Sequence, residues 1–81
     1  MSLARYFVFE RAGEWVITLD GTQLGRHPNR PAAVQSAIVM ADLMGSMQHD
    51  ADVMVETEGA LNLAWTYGAD PLPDRVQGAA A

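Results

Sequence analysis

Two stretches of the 81-residue chain gather side chains that can do chemistry. The first, Arg26-His27-Pro28-Asn29-Arg30, stands where a helix should begin. Free backbone N–H groups and the positive end of a helix dipole favour an anion there, and two arginines can add charge-assisted bonds to a phosphate or carboxylate. Arg26, His27, Asn29 and Arg30 are therefore the candidate anion-binding residues. The competing reading is a solvated loop whose arginines pair weakly with the chain's many carboxylates.

The second stretch runs from His49 through Asp50, Asp52, Glu56 and Glu58 and offers nitrogen and oxygen donors of the kind a divalent cation takes. It holds one imidazole and no fixed turn, and acidic residues at strand ends ordinarily serve solubility and edge protection. No metal site is expected. Nucleophilic catalysis finds less support still. Ser36 has no histidine at helical spacing, and Ser46 and His49 are neighbours by sequence alone. The chain has no cysteine, no glycine-rich phosphate loop and no paired-carboxylate pattern. The expectation is a protein that is not an enzyme and uses no cofactor, with a site built between subunits around His27 or His49 as the enzymatic alternative.

Six aromatic residues, Tyr6, Phe7, Phe9, Trp15, Trp65 and Tyr67, could stack on bases, as on single-strand-binding sheets. Charge opposes this. The chain has a net charge of −5 and no lysine; four arginines meet three carboxylates in the first thirty residues, and one meets seven beyond them. Binding a polyanion relies on a field of cations, so nucleic acid is the disfavoured partner, reachable only through Arg26 and Arg30, with Arg5 and Arg11 as further candidates.

These residues need elements to position them. An apolar share of 49% with 19% charged residues is too hydrophobic for a disordered chain, and the length suits one thin-cored domain. The lack of cysteine fits a reducing cytoplasm. No run approaches the roughly 20 apolar residues of a membrane span, and the first five residues lead into a strand pattern instead of a signal peptide, so a cytoplasmic protein without a membrane partner is expected.

Residues 6–9 and 14–19 form a hairpin around Gly13, with Trp15, Ile17 and Leu19 on one face and Val16 and Thr18 on the other. Residues 21–29, with two glycines and a proline, read as a loop with a little extended structure around Leu24. Asn29 caps a helix over residues 32–44, Pro31 sits in its first turn, and Gly45 marks its stop or a weak point. Ala33, Ala37, Met40, Ala41, Met44 and, if the helix runs past Gly45, Met47 make its inner stripe, with Val34 and Ile38 beyond one edge; yet Asp42 is its only ionisable residue, and Val39 and Leu43 stand one turn apart beyond the opposite edge. Residues 52–56 and 61–67 make a second hairpin, in which Leu61, Leu63, Trp65 and Tyr67 share a face. The predicted fold class is α+β: a small antiparallel sheet of two β-hairpins, ordered β-β-α-β-β, with one helix packed on one face. It fills one domain over residues 1–70, followed by a flexible tail over 71–81.

Three segments, Gly13-Glu14-Trp15-Val16-Ile17, the capped alanine-rich run from Asn29 to Ala37, and Thr66-Tyr67-Gly68-Ala69-Asp70-Pro71, carry a resemblance. From Tyr6 to Pro71 the chain resembles the prokaryotic family known as domain of unknown function 2188. The resemblance implies a β-β-α-β-β domain and brings no catalytic residues. Members are commonly basic along the helix and last strand, where this chain has Gln35, Val39, Leu43, Asn62 and Ala64.

The function expected is a self-associating structural or interaction module, a homo-oligomer that buries Val39 and Leu43 together with the open face of the sheet. A nucleic-acid or nucleotide-binding accessory domain using the Arg26/Arg30 loop is the alternative.

Overall fold

Three two-residue turns set the chain's architecture. At Ala12-Gly13, Asp20-Gly21 and Glu58-Gly59 both central residues take positive φ, between 52° and 83°. This is the type I′ geometry, whose twist matches that of the strands it joins. The computed structural model describes residues 3–72. They form β1 (Leu3–Arg11), β2 (Glu14–Leu19), β3 (Thr22–His27), α1 (Arg30–Ser46), β4 (Asp50–Thr57) and β5 (Ala60–Thr66). One five-stranded sheet results, in the order β3-β2-β1-β4-β5.

The α+β class holds, but the sheet is not a pair of antiparallel hairpins. β1 and β4 run parallel in its middle, with Arg5 opposite Asp52 and Val8 opposite Val55, while the other neighbours are antiparallel. A parallel pair needs a crossover, and α1 supplies it, carrying the chain from β3 back to the free side of β1. The loop expected over residues 21–29, with only a little extended structure around Leu24, contains a full strand, β3. Thr22-Gln23-Leu24-Gly25-Arg26-His27 has one large apolar residue and little β-propensity, but the turn at Asp20-Gly21 delivers it directly onto β2. Its register shifts between Ile17 and Thr18, leaving Leu24 as the extra residue of a bulge.

Asn29 caps α1 as its chemistry dictates: in extended backbone, its Oδ1 accepts the Ala32 N–H at 2.9 Å. The helix does not stop at Gly45 but continues to Ser46 and closes with the Gln48 N–H donating to Gly45 O and the His49 N–H to Met44 O. Gly45 is an inner contact instead, buried with Ala33, Ala37, Ile38 and Ala41. Ala33, Ala37, Ala41 and Gly45 are small enough to bring the helix backbone close to the sheet, where Ala4, Tyr6, Val8, Ile17, Ala51, Val53, Val55 and Trp65 complete the core. Val8, Ile17 and Val53 are fully buried, and each contributes roughly 1.5–3 kcal/mol relative to an exposed position. Met47, placed on the inner stripe by helical spacing, lies past the last turn and is exposed.

The fourth expected strand also differs. A bulge in β5 leaves Ala64 unpaired, with Val53 opposite Trp65 and Met54 opposite Leu63. Because one extra residue flips every side chain beyond it, Leu61 and Leu63 turn to the helix-free face while Trp65 enters the core. Beyond β5 the chain doubles back. The Thr66 N–H donates to Asp70 Oδ2 at 2.9 Å, the Trp65 indole N–H to the Pro71 carbonyl at 3.0 Å, and Leu72 packs on the core. The first two residues of the expected tail thus lie against the domain; residues 73–81 lie outside the described residues.

Candidate functional site

Alternation along the strands assigns the helix-free face. β1 sends Phe7 and Phe9 there, β2 sends Val16, β4 sends Met54, and β5 adds Leu61 and Leu63. Leu61 and Leu63 are 50% and 58% exposed. Val16 is buried although no helix covers it, with Phe9 and Arg26 as its cross-strand neighbours. The face is therefore an apolar strip crossing four strands.

Charge flanks this strip in matched pairs. Arg5 and Asp52 meet across the parallel β1–β4 pair: Nε donates to Oδ1 at 2.9 Å and Nη2 to Oδ2 at 2.9 Å, the bidentate geometry that suits guanidinium and carboxylate. The hydrogen bonds and charge of Asp52 hold the Arg5 guanidinium above its ordinary pKa. Asp52 is buried; Arg5 keeps nearly half its side chain exposed. Further out, Arg26 stands 3.5 Å from Glu14 and the Arg11 guanidinium lies 5.1 Å over the Phe9 ring.

The four anion-binding candidates are not brought together. Arg26 and His27 are successive residues of β3, so they point to opposite faces. Asn29 spends its side-chain oxygen on the helix cap, and the Arg30 guanidinium sits 6.0 Å over the Trp15 ring on the helix side. In the acidic stretch, Asp50, Asp52 and Glu56 share the helix-free face and Glu58 lies in the β4–β5 turn. Among the described residues no group of three or more His, Asp or Glu side chains converges to hold a metal.

Val39 and Leu43 are 49% and 61% exposed on the outer side of α1, and Met47 continues their line. The apolar strip across the sheet escaped the sequence reading because residues 6–9 are apolar on both faces of their strand, so no alternation marks which pair faces the helix. Among the described residues no helix is long and apolar enough to cross a membrane. Comparison with family models, with curated proteins and with solved structures gives no match.

Proposed function

We propose that the protein is a self-associating structural or interaction module of the cytoplasm, with no catalytic activity of its own. The observation that supports this reading is apolar surface on two opposite sides of a thin domain: Phe7, Phe9, Met54, Leu61 and Leu63 on the sheet, and Val39, Leu43 and Met47 on the helix. Contiguous apolar patches of this kind mark association surfaces. A nucleic-acid role draws less support, since Arg5 and Arg26 are each held by a carboxylate on the same face. Sedimentation velocity over a wide concentration range tests the reading: a dimer or larger species is the expected result, and a monomer persisting to high concentration sinks it.

A further inference from the structure

Resting on that self-association, we infer that a second copy of this chain docks on the helix-free face of the sheet, so that two sheets pack face to face with both helices outermost. The outer strip of α1 then stays outside the primary interface.

Area separates the two surfaces. Five strands spaced about 4.8 Å apart, each about seven residues long at about 3.3 Å per residue, present a face of roughly 24 by 24 Å. Covering it from both sides removes on the order of 1,200 Å² from water, the lower bound of a stable interface. The 17-residue helix is about 25 Å long and about 10 Å wide, so a helix-to-helix contact buries roughly half as much, within the range of lattice contacts.

Charge names the occupant. The chain is acidic, yet its excess sits away from this face. Arg5, Arg11 and Arg26 share the sheet face with Glu14, Asp50, Asp52 and Glu56, close to balance. The remaining described residues set Arg30 against Glu10, Asp20, Asp42, Glu58 and Asp70. A second acidic copy is thus repelled from most of the surface and least from here, where both signs are available for pairing across an isologous contact. Burying Arg5 and Asp52 strands no lone charge, because each already satisfies the other.

The edges are poor competitors. β3 and β5 each carry a bulge, at Leu24 and Ala64, which twists the strand and interrupts the row of backbone groups that a partner strand would read. The chain's own remainder is a poor cover too: Leu72 leaves on the helix side against the core, and residues 73–81 hold one large apolar side chain, Val76.

Two double-surface variants test this by sedimentation velocity and circular dichroism. Leu61→Lys with Leu63→Lys alters exposed positions, so the fold is kept while dimerisation weakens by about 10-fold or more. Leu43→Lys with Val39→Lys leaves the dimer unchanged. Dissociation by the helix variant alone, by both variants or by neither overturns the sheet-face interface while self-association stands, as does dissociation on removing residues 73–81. A wild-type monomer overturns both readings. Should the sheet variant fail to fold, Leu63→Cys gives a second measurement in a chain without cysteine: a short thiol cross-linker captures a covalent dimer if the faces meet, and Leu43→Cys does not. Capture through Leu43→Cys alone overturns the interface.

Discussion

The aromatic ring of Tyr67 occupies the space into which a Cβ on Gly45 would project. Trp65 packs edge-on against the same ring, 6.3 Å between centroids at 66°, so the end of β5 and the last turn of α1 share one aromatic contact. Alanine normally favours a helix over glycine by about 1 kcal/mol. Here Gly45→Ala destabilises, by about 1–3 kcal/mol, because the ring and two rigid elements must yield. Denaturant unfolding checks this, and a paired background sharpens it: with Tyr67→Ala the space opens and the same substitution becomes neutral or stabilising. An unchanged penalty in that background would place the cost elsewhere.

The turn at Ala12-Gly13 carries a different strain. Ala12 has φ of 54°, a left-handed conformation that costs an ordinary residue roughly 1–2 kcal/mol. Ala12→Asn, giving the preferred Asn-Gly pair, should raise stability by about 0.5–1 kcal/mol. Gly13→Ala should lower it, and since no atom lies within 4 Å of the added methyl, the loss measures backbone strain alone. Equal thermal midpoints for all three chains would contradict both assignments.

Arg5 and Arg26 offer a comparison of two ion pairs on one surface. Asp52 is 5% exposed and depends on Arg5, whereas the Arg26–Glu14 pair is open to solvent. Arg5→Ala therefore lowers the unfolding midpoint clearly, Arg26→Ala barely, and adding Asp52→Asn to Arg5→Ala recovers part of the loss by removing the stranded charge. A double-mutant cycle with no coupling between positions 5 and 52 counts against this.

Tyr6 gives the fold an alkaline limit. Burial raises its hydroxyl above the ordinary value of 10.0, since the charged phenolate loses water in the core. The folded chain thus holds a proton that the unfolded chain releases. This stability is fully present below 10.0 and is lost as pH rises from there through the higher folded value. Denaturation midpoints followed above pH 10 should fall less steeply in Tyr6→Phe than in the wild type. Parallel curves would remove Tyr6 as the source.

Periodicity made α1 and its Asn29 cap legible, because capping and small-residue spacing are local properties of the chain. The β1–β2 hairpin was legible for the same reason, down to Trp15, Ile17 and Leu19 sharing one face; that this face meets the helix is set by packing that alternation does not encode. What lay beyond reach depends on distant partners. β3 is a strand because β2 accepts it, not because Gln23 or Gly25 prefers extended backbone. Leu61 and Leu63 leave the face of Trp65 because of a bulge against β4 that alternation cannot announce. The Thr66 to Pro71 ending, noticed as a motif, acquires its meaning only with the Asp70 and Pro71 hydrogen bonds that fold it back.

The parallel seam between β1 and β4 also orders events in time. The first three strands can zip together through two tight turns as soon as they leave the ribosome, but the other side of β1 must wait for residues 47 positions later in the chain. Loop closure over that span is the slow, entropically uphill step, and α1 has nothing complete to rest on until it is taken. Until β4 emerges, the nascent sheet displays an unpaired edge on β1, the strand that becomes its centre.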